Sequence, residues 1–314
     1  MFGPDQKVVL HLLDIPPAKS RLDAVAMELE DIASPVVAGV VATTDYAEAF
    51  DGVDVALLVG AMPRGKGMLR KDLLEKNAGI FKGQGEALEK HASRDCKILV
   101  VGNPANTNCL LAAEAAPSIP RTNFTALTRL DQNRLTGQVA KKIGVQPWDV
   151  QGAIVWGNHS ATQFPDARFM TFADRSGESI SWTSVTGQVA KDLGEEEGKT
   201  WIGEELVTTV QTRGKAVIDA RGASSAASAA AAICDHVRDW LLGSNGRTVS
   251  MAVATEGNPY GIADGIFYSF PLITEKGGKW AIVGDMDVSA SEVQARLEAS
   301  TKELLEERSL ALGK

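Results

Sequence analysis

The fold of this chain is decided by two adjacent segments, the apolar run DVALLVG (residues 54–60) and the polar loop PRGKGMLRKD (residues 63–72). The first has the length and composition of a buried β-strand, and the second is rich in glycine and carries Arg64 and Arg70. In α/β enzymes, ligands gather where a buried strand runs into such a loop. Because a guanidinium binds a carboxylate through two parallel hydrogen bonds, two arginines on one loop indicate a small di-anion. A solvated basic loop is the alternative reading of this segment taken alone.

Strand and helix patterns alternate through the first third of the chain. Strands are predicted over residues 8–14, 37–43, 54–60 and 97–104, and helices over residues 21–33 and 72–91. This alternation favours parallel pairing in a doubly wound, Rossmann-like α/β sheet. Ligands then bind at the carboxyl ends of the strands, which are marked here by Asp14, Gly60 and Asn103.

The second half of the chain has a different pattern, which predicts a separate α+β domain. Strands are expected over residues 151–157, 251–254 and 266–271, a hairpin over 171–180, and helices over 130–143, 192–210, 223–242 and 291–310. We therefore expect a domain boundary near residue 127, with one domain at residues 1–127 and the other at residues 128–314.

Composition excludes several classes of function. The net charge of −8 argues against a general nucleic-acid-binding protein. No apolar stretch approaches the roughly 20 residues of a membrane span, and the first residues lack an apolar signal core. The cysteines lack metal-ligand spacing, so we expect reduced thiols and no metal site; they are Cys96, Cys109 and Cys234. We expect a cytoplasmic protein with neither nucleic-acid nor membrane partners.

Three residues in the second half form a candidate catalytic group. Asp131 and Arg134 are three residues apart on a predicted helix and therefore share one face. His159 follows a predicted strand in the turn GNHS (residues 157–160). A histidine oriented by a carboxylate exchanges protons near neutral pH, and an adjacent arginine can hold a substrate carboxylate. A structural histidine in the core or on the surface is the alternative.

These motifs carry a resemblance that covers the whole chain. The segments LLDIP, PRGKGMLRKDLL, VVGNPANTN, LTRLDQNR, WGNHS and SSAASAAAAICDHVRDW resemble the cytosolic-type malate dehydrogenases of the lactate/malate dehydrogenase family. The resemblance implies an NAD-dependent enzyme that transfers a hydride between malate and oxaloacetate. It also implies a homodimer in which the helix at residues 21–33 contributes to the interface.

The resemblance assigns roles to the candidate residues. His159 would be the acid/base, and Asp131 would orient its ring. Arg134 would bind the carboxylate next to the reacting carbon, Arg70 would polarise the carbonyl oxygen, and Arg64 would bind the second carboxylate. Because lactate enzymes carry a neutral glutamine at the position of Arg64, this arginine favours the dicarboxylate on charge grounds.

The resemblance also implies a dinucleotide-binding domain at residues 1–127 and a substrate domain at residues 128–314. Asp14 would bind the adenosine ribose hydroxyls, which favours NAD over NADP because the carboxylate repels a 2′-phosphate. The other implied contacts lie in two segments of the first domain: Val101, Gly102 and Asn103 would contact the nicotinamide half, and Asn103 also the substrate. Asn77 and Gln84 would contribute further contacts from the helix after the loop.

One departure from the family pattern concerns the phosphate-binding turn. The family begins with a strand and a GxxGxxG turn that binds the pyrophosphate, and neither is found in this sequence. That strand is expected between the strands at residues 8–14 and 54–60. Two hypotheses follow, an NAD-dependent malate dehydrogenase whose authentic N-terminus precedes Met1, or a catalytically deficient relative that binds dicarboxylates or modulates a partner.

Overall fold

A computed structural model describes residues 1–62, 70–175 and 180–313 of the 314-residue chain. The chain divides into two compact units, of which the first holds Met1–Phe124 with Leu310–Lys314 and the second holds Thr125–Ser309. Among the helices of the described ranges, none combines the length and hydropathy needed to cross a bilayer.

Strands and helices alternate in the first unit. Its strands are β1 (Val8–Leu13), β2 (Val37–Thr43), β3 (Val55–Leu58) and β4 (Lys97–Val100), and β5 (Phe124–Ala126) begins at its end. Its helices are α1 (Lys19–Asp31), α2 (Tyr46–Phe50), α3 (Arg70–His91) and α4 (Ala105–Glu114). Strand β1 pairs in parallel with β2, and β3 pairs in parallel with β4, while β1 and β2 form a two-stranded sheet of their own. The predicted α/β class with parallel pairing is confirmed.

The end of β4 packs closely in the first unit. Helix α3 buries Phe81 completely, and its ring lies against Gly102 just beyond the strand. A Cβ atom built on Gly102 would lie 2.7 Å from Phe81 Cζ and 2.8 Å from Ala61 Cβ, so only glycine fits. The backbone of the predicted ligand-binding segment is therefore held in one position.

The second unit has the predicted α+β character. Its helices are α5 (Arg129–Ile143), α6 (Val185–Leu193), α7 (Glu195–Thr200), a π-helical turn (Trp201–Glu205), α8 (Leu206–Arg221), α9 (Ala227–Leu242) and α10 (Ser291–Leu312). Its strands are β6 (Val150–Gln151), β7 (Ile154–Trp156), β8 (Phe164–Asp166), β9 (Thr171–Asp174), β10 (Ser181–Ser184), β11 (Val249–Ala254), β12 (Phe267–Glu275) and β13 (Lys279–Ile282). Strands β11, β12 and β13 pair antiparallel, β9 pairs with β6 and β10, and β7 pairs with β8.

Two predicted elements of this unit are interrupted in the structure. The strand expected over residues 151–157 is two strands, because Gly152 between them has a φ of +78° and faces the carbonyl oxygen of Phe169. The helix expected over residues 192–210 is interrupted after α6 at Gly194, whose φ is +91°, and then continues to Arg221. In both places a glycine with positive φ ends a regular element within the predicted range.

The core of the second unit supports the end of β7. Trp156 is fully buried, and its ring lies 6.4 Å from that of Phe270 on β12. Leu297 and Leu304 of α10 belong to the same buried cluster. The residue that follows Trp156 is therefore placed between β12 and α10.

Candidate active site

The turn that carries His159 begins at Gly157, directly after β7. Gly157 and Ser269 of β12 exchange backbone hydrogen bonds of 3.1 and 2.9 Å. Gly157 has a φ of +94°, and a Cβ atom at this position would lie 2.1 Å from Ser300 Oγ. Glycine is required here both for the conformation and for the close approach of α10. The strand consequently ends at a fixed point, and the next residues leave it in a fixed direction.

The first turn of α5 is attached to the same strand, β12. The hydroxyl of Ser269 donates to Val155 O at 2.7 Å, and Thr128, which precedes α5, donates to Ser269 Oγ at 2.8 Å. Gln132 Oε1 accepts from the backbone N–H of Ser250 at 2.9 Å. These buried bonds fix the start of α5 relative to the end of β7.

This scaffold brings Asp131, Arg134 and His159 together. One carboxylate oxygen of Asp131 accepts from Arg134 Nη1 at 2.9 Å, and the other is hydrogen bonded to His159 Nδ1. Asp131 is completely buried, whereas the side chains of His159 and Arg134 are 17% and 13% exposed. Since the carboxylate accepts the Nδ1 proton, proton exchange with a substrate is directed to Nε2.

Asp131 and His159 each shift the pKa of the other. Burial acts to lower the pKa of His159, but the charge and hydrogen bond of Asp131 outweigh it, so the pKa of His159 is raised above its usual value. Burial acts to raise the pKa of Asp131, but His159 and Arg134 outweigh it, so that pKa is lowered. The arrangement therefore stabilises an imidazolium next to an ionised carboxylate.

The structure does not test the roles predicted for the two arginines of the loop at residues 63–72. Arg64 lies outside the described residues, and Arg70 is described only as the first residue of α3. Their roles stay predictions from the sequence.

Asn77 on α3 contacts the backbone at the end of both neighbouring strands. Its side chain accepts from Met62 N at 2.8 Å and donates to Asn103 O at 3.1 Å. Asn77 is completely buried, although an asparagine on a helix would ordinarily be solvated. It therefore holds the backbone of Asn103, whose own side chain is exposed.

The remaining predicted cofactor residues also lie in the first unit. Asp14 follows β1, is exposed, and accepts the backbone N–H of Ile15 at 2.7 Å. Val101 and Gly102 follow β4, and their backbone N–H groups both donate to Leu58 O. Gln84 is buried, and its Oε1 has no hydrogen-bond partner among the described residues.

Sequence reasoning missed the residues that support the histidine turn. Ser269 anchors Gly157, and Ser300 and Glu303 of α10 bind the residues on either side of His159. No local pattern signals them, because each lies more than 100 residues from its partner along the chain. Only Gly157, as a glycine after a strand, could have hinted at a close approach.

A buried carboxylate that orients a histidine, with an arginine beside both, defines a proton-transfer site built to act on an anion. Residues 3–125 match the family model of the lactate/malate dehydrogenase NAD binding domain, and residues 128–312 match that of the lactate/malate dehydrogenase alpha/beta C-terminal domain. The chain belongs to the lactate/malate dehydrogenase family.

Relatives and solved structures agree with this assignment. The chain is 49% identical over 312 residues to the cytoplasmic malate dehydrogenase of Zea mays and 48% identical over 315 residues to that of Homo sapiens. Each alignment covers 99% of this chain and 90% of the relative. The malate dehydrogenase of Naegleria fowleri is 43% identical with a TM-score of 0.89, covering 100% of this chain and 90% of that one. A Trichomonas vaginalis lactate dehydrogenase in complex with NADH and oxamate is 40% identical with a TM-score of 0.90, covering 98% and 90%.

Proposed function

We propose that this protein is an NAD-dependent malate dehydrogenase that interconverts malate and oxaloacetate. The observation that carries the proposal is the group formed by His159, Asp131 and Arg134 in a member of this family. Arg64 favours a dicarboxylate over a monocarboxylate substrate. A monocarboxylate would place a methyl group against this cation in a site without water, which is disfavoured. No observation favours the alternative of a catalytically deficient, dicarboxylate-binding relative.

His159 is the proposed acid/base. In malate oxidation, its neutral Nε2 accepts the proton of the substrate hydroxyl, and in oxaloacetate reduction the imidazolium returns a proton to the carbonyl oxygen. Asp131 holds the ring through Nδ1 and stabilises the imidazolium, in agreement with the raised pKa of His159. NAD supplies the hydride acceptor when it is bound.

Four residues are proposed to bind the substrate. Arg134 binds the carboxylate next to the reacting carbon, and its bond to Asp131 places it beside the acid/base. Arg64 binds the second carboxylate, and Arg70 polarises the carbonyl oxygen. Asn103 contributes a side-chain amide to the substrate, on a backbone fixed by Asn77.

The residues of the first unit fit the two ends of NAD. The exposed carboxylate of Asp14 at the end of β1 suits the hydroxyls of the adenosine ribose and disfavours a 2′-phosphate. Val101, Gly102 and Asn103 follow β4, where Gly102 leaves no room for a Cβ atom. Gln84 has a buried side-chain oxygen that suits a hydrogen-bond donor from a bound group.

The domain functions follow the same division. We assign residues 1–127 to dinucleotide binding and residues 128–314 to substrate binding and catalysis, in a cytoplasmic protein.

A His159→Asn variant should lose most turnover but keep NADH affinity, because the proton relay is separate from the dinucleotide-binding residues. Steady-state rates of malate oxidation and a fluorescence titration with NADH test both halves. If NADH affinity falls together with activity, His159 has a structural and not a catalytic role.

We propose a homodimer that uses α1. Val25 and Met27 of α1, and Ile32 just past its end, are apolar yet 45%, 58% and 66% exposed in the single chain. Large apolar side chains exposed along one helix favour a partner surface over water. Sedimentation velocity of Val25→Glu and Met27→Glu variants should give monomers. If both variants remain dimers, α1 is not the interface.

A further inference from the structure

The turn that carries His159 rests on the terminal helix α10. Ser300 of α10 is buried, and its Oγ accepts the backbone N–H of Asn158 at 2.7 Å. The hydroxyl of Ser300 in turn lies 3.1 Å from Thr162 Oγ1. Because Gly157 leaves no space for a side chain against Ser300, the backbone meets the helix at one fixed distance.

Glu303 lies one turn further along α10 and binds the same segment through side chains. A single carboxylate oxygen, Oε2, accepts from Asn158 Nδ2 at 2.9 Å, from Thr162 Oγ1 at 2.6 Å, and from the hydroxyl of Ser160. Glu307, which is also buried, accepts from Asn158 Nδ2 at 3.4 Å. Hydrogen bonds to a carboxylate are stronger than those between neutral groups, so this cluster restrains the turn firmly.

These contacts bracket the histidine. Asn158 precedes His159 and Ser160 follows it, and both bind Glu303. A side chain between two fixed residues has little freedom to swing its ring. We propose that Ser300 and Glu303 are positioning residues for His159, which fix the turn so that Nδ1 stays on Asp131. This inference rests on the proposed role of His159 as the acid/base.

We predict that Glu303 acts on His159 by fixing its position, and not through its charge. Among the described residues, the charged groups that face His159 and its turn are Asp131 and Arg134 from α5, and Glu303 and Glu307 from α10. Of these, Asp131 raises the pKa of His159 and Arg134 lowers it. Loss of Glu303 should therefore act through a looser contact with Asp131, which returns the pKa of His159 towards its usual value.

The experiment compares four variants of the full chain with the wild type. Glu303→Ala removes the shared acceptor, and Glu303→Gln retains an acceptor oxygen at the same length. Ser300→Ala removes the acceptor of the Asn158 N–H group. Glu306→Ala is the matched control, because Glu306 is an exposed acidic residue of the same helix. The measurements are kcat/KM for oxaloacetate across pH, NADH affinity by fluorescence, and the melting temperature.

Glu303→Ala should lower kcat/KM by about 10- to 100-fold, the usual consequence of a misplaced catalytic group. The pH profile should shift to lower pH, and NADH affinity should stay within about twofold. Glu303→Gln should recover most of the activity, and Glu306→Ala should match the wild type. If Glu303→Ala does not fold, the same measurements on Ser300→Ala test the proposal. This variant should show a smaller loss of kcat/KM and a pH profile shifted in the same direction.

Two results would overturn the inference. The first is a folded Glu303→Ala or Ser300→Ala protein with wild-type kcat/KM and pH profile. The second is a loss of activity that parallels a loss of NADH affinity with an unshifted profile, which would mean a merely structural role. A parallel His159→Asn measurement separates the two proposals. If His159→Asn is inactive while Glu303→Ala is normal, only the positioning role fails, whereas an active His159→Asn protein refutes the acid/base assignment itself.

Discussion

Replacement of Asp131 by asparagine tests the electrostatic design of the site with almost no change in shape. The wild-type carboxylate is completely buried and binds both His159 and Arg134. In Asp131→Asn, the charge that raises the pKa of His159 is gone. The two influences that remain on the ring, burial and Arg134, both lower that pKa.

The expected loss of kcat/KM depends on the protonation state of His159 that each direction of the reaction requires. Oxaloacetate reduction needs the imidazolium, and each unit by which the pKa falls below the assay pH reduces that form about tenfold, or about 1.4 kcal/mol. The imidazolium also loses its hydrogen bond to a charged carboxylate, and a bond of this kind contributes about 1.5–3 kcal/mol. We therefore expect a loss on the order of 10²-fold in kcat/KM for oxaloacetate at pH 7.5.

Malate oxidation at high pH provides the internal comparison. High pH favours the neutral imidazole that this direction needs, so the loss in kcat/KM for malate at about pH 9.5 should be about tenfold smaller. Asp149→Asn is the matched control, because Asp149 is also a buried carboxylate and accepts two hydrogen bonds from Arg175. Its pH profile should equal that of the wild type. Equal losses for Asp131→Asn at both pH values would refute the reasoning.

Two further predictions concern specificity and stability. Arg64→Gln should lower kcat/KM for oxaloacetate far more than kcat/KM for pyruvate, a change of about 2–5 kcal/mol in the ratio of the two values. An unchanged ratio would show that Arg64 does not bind the substrate. Burial lowers the pKa of His236 to about 3, so the stability that its neutral form contributes is fully present above pH 6.5 and is lost as the pH falls towards 3. Between pH 6.5 and 5 the wild type should lose about 2 kcal/mol of unfolding free energy through this group, a loss that chemical denaturation of His236→Gln should not show.

Much of the fold could be predicted because its strands are short, apolar and separated by amphipathic helices. The strand predicted over residues 37–43 coincides with β2, and the helix predicted over 130–143 differs from α5 by one residue. The errors at Gly152 and Gly194 have one physical cause, a glycine whose positive φ interrupts the predicted element. Periodicity reports which face is buried, but it does not report backbone conformation.

The site could be predicted only in its chemically reactive members. Asp131 and Arg134 share a helix face, so their contact follows from spacing, whereas the contact of Asp131 with His159 depends on tertiary structure. The support of the turn by Ser300 and Glu303 could not be predicted, because it joins segments more than 130 residues apart. Serine and glutamate on a helix are ordinarily surface residues, so nothing in their local sequence signals contacts with a distant turn.

The most direct test of the central claim is the ratio of kcat/KM for oxaloacetate to kcat/KM for pyruvate, measured with NADH and the wild-type protein. A site with Arg134 for one carboxylate and Arg64 for the other predicts a preference for oxaloacetate of at least about 10³-fold, because a buried cation without its anion is strongly disfavoured. Comparable values for the two keto acids, or a preference for pyruvate, would contradict the assignment of this protein as a malate dehydrogenase.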